Sequence, residues 1–396
     1  MNTSRRTAIK AAAWTALSYS RVAGANDRIH LGVIGTGVRG TSVMTSFQRN
    51  AEVQVDAVCD IYATRADEAA SKAPGAKTYS DHRRVLEIKE LNAVLIGTPD
   101  HWHAGTAIDA LNAGKDVYVE KPLMRLREEG PAIVRAARVN NRICQVGMQQ
   151  RSGTIYLEAK QRFVDTGMLG RITHIRCVWN SGPPGGPSRR QTFTEKPANL
   201  DWARFLGPVR WREWNPYQYQ NFRAFLDFGG GKMTDFGAHW IDVAHMFTGK
   251  DGPLSVSTAG GVYYEYADKR DAPDNITAIY EYPGGLTVTF ESLTVANGSE
   301  YGVEFLGDKG RLFINRNRYE FLKAEKGAQP VSQRIPGDIT SEHVRNFLDC
   351  CKSRKLPNGD VYHGHRSAQA CLLAVESYVE RRRIRFDPAR EIVLPA

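Results

Sequence analysis

Hydrophobic patterning divides the chain into two regimes. From Arg28 to Val146, short apolar runs alternate with amphipathic stretches. Arg28 to Ile34, Val53 to Cys59, Ala93 to Ile96, Asp116 to Val119 and Arg142 to Val146 read as strands. Thr41 to Arg49, Asp81 to Lys89, Ala104 to Ala113 and Arg127 to Val139 read as the helices between them. Near-continuous apolar strands separated by helices are the pattern of a parallel sheet buried on both faces. From Arg171 onward strand-like runs take over: Ile172 to Trp179, Leu254 to Tyr266, Ile276 to Tyr282, Leu286 to Leu293, Gly302 to Leu306 and Arg311 to Ile314. Pro283-Gly284-Gly285 reads as a hairpin turn between two of them. Helices over Ser341 to Lys352 and Arg366 to Arg381 close the chain.

One stretch combines a strong helical period with chemistry. In Gly229 to Phe247 the apolar residues Met233, Phe236, Trp240, Val243 and Phe247 recur at three- and four-residue steps, which predicts one helix. A second stripe carries Asp235, His239, Asp242 and Met246, and no Lys, Arg or Glu marks a solvated face between Met233 and Phe247. A helix apolar all round is buried, and buried polar groups must be paired. An Asp235/His239 pair at i, i+4 has the form of an oriented general base. A satisfied core histidine is the competing reading.

The first strand runs directly into Gly35-Thr36-Gly37-Val38-Arg39-Gly40, which opens the first helix. Strand, G-x-G-x-x-G and helix form the context of the dinucleotide fingerprint. The first glycine makes the turn, the second admits the pyrophosphate and the third packs helix on strand. Asp60 ends the second strand about 20 residues further on, where an acid holds the adenosine ribose. It favours NAD over NADP because a carboxylate repels a 2′-phosphate, although Arg39 and Arg65 leave room for the latter. Thr98, Pro99, His103, Glu120, Lys121 and Gln149 lie at or just beyond strand ends, where ligands of such sheets sit, and join Gly35 to Gly40 and Asp60 as expected cofactor contacts.

Composition changes this picture in three places. Residues 1–25 contain Arg5-Arg6, a modest Ala-rich apolar run and Ala23-Gly24-Ala25, which looks like a twin-arginine export signal with its cleavage site. Its four basic residues supply part of the formal net charge of +10, and no basic run exceeds Arg381-Arg382-Arg383, so no nucleic-acid partner is expected. No apolar run approaches the roughly 20 residues of a membrane span, so no membrane partner is expected either. The six cysteines lack C-x-x-C spacing, and His101-Trp102-His103 is not read as a ligand set, so no metal is expected. Residues 181–228 form a long irregular insertion rich in Trp, Tyr, Phe and Arg. That content predicts an ordered cover for an active-site mouth, with about half of its aromatics forming a local core.

Thr98-Pro99-x-x-x-His103, Glu120-Lys121-Pro122 and Gly229-Gly230-Gly231-x-x-x-Asp235-x-Gly237-x-His239, following the fingerprint in this order, resemble the glucose–fructose oxidoreductase, inositol dehydrogenase and rhizopine-catabolism (Gfo/Idh/MocA) family. The resemblance covers the chain beyond residue 25. It implies an α/β fold with an N-terminal Rossmann domain (26–150), followed by a C-terminal α/β domain (151–396) on a large, mostly antiparallel open sheet. Such sheets in the family build homodimers or homotetramers. The resemblance also implies that Lys121, Asp235 and His239 contact the reacting hydroxyl. His239 is then the general base, Asp235 its orienting partner or a substrate ligand, and Lys121 the donor to the developing alkoxide. Arg151 and Arg223 are further expected substrate contacts. The activity implied is NAD-dependent oxidation of a secondary hydroxyl on a sugar, glycoside or polyol, with C3 one position. Export would favour a tightly bound cofactor and so keeps two alternatives open, a redox-neutral NAD-dependent glycosidase or a sugar–sugar oxidoreductase. A non-catalytic sugar-binding protein on the same fold is a third.

Overall fold

The computed structural model describes residues 28–182, 193–266, 268–295 and 301–395, so the export-signal reading lies outside the described residues. The first sheet contains β1 (Ile29–Ile34), β2 (Val53–Cys59), β3 (Lys77–Tyr79), β4 (Ala93–Ile96), β5 (Asp116–Val119) and β6 (Cys144–Val146), all parallel, in the order β3-β2-β1-β4-β5-β6. β1 is central and nearly all buried, as its apolar run requires. Strand order reverses between β1 and β4, which opens a crevice at their carboxyl ends. Helices Val38–Gln48 and Ala63–Ser71 cover one face, and Asp100–Asn112 and Gly130–Val139 the other. Neither Ala63–Ser71 nor β3 was expected from the pattern. That helix buries only Ala66 and Ala69, and β3 is a short exposed edge, so neither carries an apolar stripe.

The second sheet contains β7 (Ile172–Trp179), β8 (Ser255–Gly261), β9 (Asn275–Tyr282), β10 (Leu286–Ser292), β11 (Tyr301–Gly307), β12 (Gly310–Ile314), β13 (Arg318–Lys323), β14 (Val331–Arg334), β15 (Ile384–Asp387) and β16 (Ile392–Val393). Their order is β14-β13-β12-β11-β7-β10-β9-β8-β15-β16, and β7 with β10 is the parallel pair in an otherwise antiparallel array. The hairpin between β9 and β10 turns on Gly284 and Gly285, whose φ values of 84° and 74° suit glycine. Burial alternates strictly along β10, so Leu286, Val288 and Phe290 face a core closed by helices Gly237–Thr248 and Val361–Glu380. The opposite face carries Thr287, Thr289 and the half-exposed Ile279.

Two helices from the end of the chain tie the sheets together. Ile339–Ser353 returns to the first sheet, where Phe347 meets Phe47 and Tyr118 edge-on, each with centroids 5.8 Å apart. Val361–Glu380 lies between the sheets: Ala370, Cys371, Leu373 and Ala374 belong to the second core, and Val361, Ala368 and Leu372 to the first.

The expected single helix over Gly229–Phe247 is two. Gly231–Asp235 and Gly237–Thr248 meet at Phe236, which stacks on Trp179 at 4.7 Å. Gly237 lies against Met233 and Cys371, where a Cβ would come 2.5 Å from the Met233 methyl. The apolar period runs through Phe236 unaltered.

Phe347→Ala is expected to lower stability by about 3–5 kcal/mol, as emptying a fully packed aromatic site does, measured by urea unfolding. For the same reason a fragment of residues 26–150 should not unfold cooperatively, because Phe47 and Tyr118 lose their cover; a sharp two-state melt of that fragment would show that the cover is dispensable.

Candidate active site

At the head of the crevice, Gly35 has φ +85°, and a Cβ there would lie 2.6 Å from the Thr98 nitrogen. A Cβ on Gly40 would lie 1.9 Å from the Gly35 carbonyl oxygen, so the helix starts directly on the turn. Gly37 is different: a Cβ there meets nothing nearer than the Arg65 guanidinium at 3.9 Å. No side chain caps this helix and no acid occupies its first turn, so its N-terminus can receive a phosphate. Val38 points outward and is almost fully exposed. Asp60 Oδ2 accepts from the Thr36 amide (2.9 Å) and hydroxyl (3.2 Å), and its Oδ1 accepts from the Tyr62 amide at 3.0 Å. The loop and the acid of β2 are therefore fixed to one another. These residues fit a nicotinamide dinucleotide.

Further along the crevice, Arg39 Nε donates to Glu120 Oε1 at 2.8 Å, and Gln149 Nε2 approaches the same oxygen at 3.5 Å. Pro99 caps helix Asp100–Asn112, and the Thr98 hydroxyl is buried without a hydrogen-bond partner. His103 is fully buried, with Nδ1 2.6 Å from the Pro122 carbonyl and Nε2 2.9 Å from the Thr98 carbonyl. It bridges the two loops that line the crevice, and a neutral ring can donate to only one of these two carbonyls. His101 Nε2 and Trp102 Nε1 both reach the Phe205 carbonyl, at 2.7 and 3.0 Å, and anchor the insertion. Burial brings His101 down to about 4. Among the described residues, no three His, Cys, Asp or Glu side chains are arranged to hold a metal ion.

The reacting end joins two domains. Lys121 Nζ donates to the Asp235 carbonyl at 2.7 Å and also to its carboxylate. Arg223 Nε lies 3.2 Å from the same carboxylate, and its Nη2 lies 3.4 Å from Asp100. His239 meets Gln150, where Asp235 was expected as its orienting partner. Its Nδ1 is 3.1 Å from Gln150 Oε1, and its ring stacks on Trp179 at 5.8 Å. With Gln150 as acceptor, Nδ1 carries the proton and Nε2 keeps its lone pair. Burial, then the charges of Lys121, Arg316, Arg39 and Arg223, hold this imidazole well below its usual range, so it is neutral. After burial, the Lys121 charge is the largest influence on this uncharged ring, so an acceptor and an oxyanion donor serve the same end of the crevice.

Three participants were not marked by the sequence reading. Asp100 is fully buried at the turn after β4, its oxygens without hydrogen-bond partners, and burial pushes its carboxyl up despite Arg223. Its place beside Thr98 was the available signal. Gln150 follows Gln149 and shares its strand-end position. Arg316 comes from the turn between β12 and β13, stacks over Trp179 at 5.1 Å and adds its charge at His239; nothing local in the sequence marks it. Conversely, Arg151 does not line the crevice as a substrate contact. Its Nε lies 2.9 Å from both oxygens of the buried Asp242, which also accepts from Ser367 at 2.8 Å.

Residues 193–228 of the insertion form a packed unit. Trp202, Phe205, Tyr219, Phe225 and Phe228 form a core of their own, Arg65 lies over Tyr219 at 5.1 Å, and Trp211 stays exposed. It reaches from the residues that follow Asp60 to Arg223 at the reacting end.

Arg151→Met leaves Asp242 charged and buried without its cation, a change worth about 3–5 kcal/mol of destabilisation. The expected signature is a lowered unfolding midpoint with substrate KM moved less than in Arg223→Met, read by thermal melts and initial rates.

Two family models match. "Oxidoreductase family, NAD-binding Rossmann fold" covers residues 29–148 and "GFO/IDH/MocA C-terminal domain" covers residues 205–313, together more than half of the chain. Inositol 2-dehydrogenase 2 of Saccharopolyspora erythraea is 27% identical over 360 residues, 88% of this chain and 93% of that one. The scyllo-inositol 2-dehydrogenase (NAD(+)) of Bacillus subtilis is 25% identical over 301 residues, 74% of this chain and 77% of that one. In fold, levoglucosan dehydrogenase in complex with NADH and levoglucosan superposes with a TM-score of 0.74 at 19% identity, over 93% of this chain and 100% of that one. A glycine turn, a ribose acid and a lysine–aspartate–histidine cluster at one crevice therefore coincide with both halves of a single family, and the chain belongs to the GFO/IDH/MocA oxidoreductases, with their NAD-binding Rossmann fold.

Proposed function

We propose that the protein oxidises a ring secondary hydroxyl of a sugar, glycoside or polyol, with NAD as acceptor. The carrying observation is the pairing of Lys121 with Asp235 at the carboxyl end of the parallel strands, with a neutral His239 under the influence of the Lys121 charge and residues that fit a dinucleotide nearby. The names of the relatives, inositol and levoglucosan dehydrogenases, support the substrate class. When bound, NAD would accept the hydride.

The chain's own residues account for the proton and the charge. The Lys121 ammonium, steered by Asp235, donates to the hydroxyl oxygen as negative charge grows there. His239 Nε2 takes the hydroxyl proton while Nδ1–H stays on Gln150. The cations that depress the imidazole favour the alkoxide equally, so what weakens the base also acidifies the alcohol. For NAD over NADP the support is the placement of two arginines: Arg39 is committed to Glu120 and Arg65 to the Tyr219 ring, and Asp60 stands at the ribose position. Export of the folded protein with its cofactor bound, and pairing of copies through the open face of the second sheet, are part of the same proposal. They rest on Arg5-Arg6 in the leader and on the threonine-rich outer face.

His239→Ala is expected to lower kcat by about 10²–10⁴, the usual worth of a positioned base, while fluorescence transfer from protein to NADH still reports binding. Retained turnover would remove His239 from the chemistry. Because the ring is neutral well below its ordinary pKa of 6.5, kcat/KM should not fall as pH drops from about 8 to that value; an acid limb at or above it would mean that another group is the base.

A further inference from the structure

Beside Asp235 opens a cavity of ≈ 280 Å³, near the lower end of the about 300–1,000 Å³ usual for small-molecule sites and nearer one sugar ring than a dinucleotide. Arg223, Lys232, Arg270, Asp235, Asp274 and Ser181 are in its wall. Most of these charges are already matched. Arg223 spans Asp235 and Asp100, and Asp235 also holds Lys121. Arg270 is paired with Asp268 through Nε at 3.0 Å and Nη2 at 2.6 Å. The Asp274 carboxylate accepts from the Tyr263 and Tyr264 amides and from Asn275 Nδ2, each at 3.1 Å.

Lys232 stands apart. Its partners are hydroxyls, Ser181 Oγ at 2.9 Å and Thr294 Oγ1 at 2.7 Å, and among the described residues no carboxylate forms an ion pair with it. Both hydroxyls are themselves directed: Ser181 Oγ donates to the Leu293 carbonyl at 3.4 Å and Thr294 Oγ1 to the Asp274 carbonyl at 3.0 Å. Their lone pairs are thereby presented to the ammonium. An ammonium has three donors, so two are fixed and one remains. Lys232 and Asp235 are also i and i+3 on the short helix Gly231–Asp235, which sets their Cβ atoms about 5–6 Å apart, the width of a sugar ring.

We propose that Lys232 is a specificity residue and that the substrate is an anionic sugar, with a carboxylate or phosphate placed across the ring from the hydroxyl that is oxidised. The inference rests on the dehydrogenase reading above, because it takes Asp235 as the landmark for the reacting carbon. The state of the lysine agrees: burial lowers it to about 8 in spite of Asp274, a strain that a bound anion relieves. A lysine that served only to join Ser181 to Thr294 would have no need to stand in the cavity wall.

The test uses the full protein loaded with NAD and matched pairs: glucuronate against glucose, galacturonate against galactose, and each neutral sugar against its 6-phosphate. Initial rates give kcat/KM, and calorimetric titration of the NADH-loaded protein gives Kd. The uronates separate carboxylate recognition from phosphate recognition. The expected result is that at least one anionic member exceeds its neutral parent by about tenfold to a hundredfold in both measurements, the usual scale of a charged hydrogen bond. Lys232→Met should bring that ratio to near one, and Lys232→Arg should keep it. Lys232→Gln, with the thermal midpoint of each variant, separates loss of recognition from loss of fold. Equal or better use of neutral sugars by the wild type, or a ratio that Lys232→Met leaves intact, would overturn the anion site alone. Preferential binding of the anionic sugars with no reduction of NAD would overturn the dehydrogenase reading and leave the anion site standing. A panel neither bound nor oxidised would overturn both.

Discussion

Lys121 and Asp235 sit on different domains, and the reacting end of the crevice depends on their meeting. Lys121 follows β5, at the carboxyl edge of the parallel sheet, and Asp235 ends a short helix on the antiparallel one. Neither charge is well solvated, so each is tolerable only with the other present. The pairing continues through Arg223 of the insertion to Asp100 of the first domain. These four side chains thus link both domains and the insertion. Their order makes the site a property of the whole assembly rather than of any one segment.

The same electrostatics sets the division of labour at the reacting oxygen. A histidine in water is a fair base because it holds a proton well. Here burial and four surrounding cations take that capacity away. In the proposed reaction that positive field would act on the alcohol as well as on the base. Trp179 makes this arrangement rigid. It stacks on Phe236 at the helix break and on His239, while Arg316 lies over the same indole.

The parts legible in the sequence were those fixed by local constraint. Gly35 and Gly40 have no room for a side chain, so the fingerprint had to be written in glycine, and strand, turn and helix followed from adjacent residues. The antiparallel half was visible in the alternation along β9 and β10. What escaped was set at a distance. Periodicity continues through Phe236, so the interruption there left no mark. Strand-end position located His103 correctly in the fold, but neither its partners nor that of Arg151 were visible: Asp242 lies on a helix some ninety residues beyond Arg151, and the carbonyls near His103 belong to two different loops. Arg316 arrives from a turn between strands that have no role at the crevice. Asp100 could have been flagged, since a carboxylate in a strand-end turn beside Thr98 is informative even before its burial is known.

Helix Val361–Glu380 has a consequence for the order of events in folding. Its residues complete both cores, and Ile339–Ser353 covers one face of the first sheet, yet both lie at the far end of the chain. During synthesis at about 5–20 residues per second, the first sheet emerges with Phe47 and Tyr118 uncovered and waits for Phe347, more than two hundred residues downstream. Contacts that far apart in sequence are slow to form. The domains are separate in architecture but not in time, and the crevice closes only when the last tenth of the protein has been made.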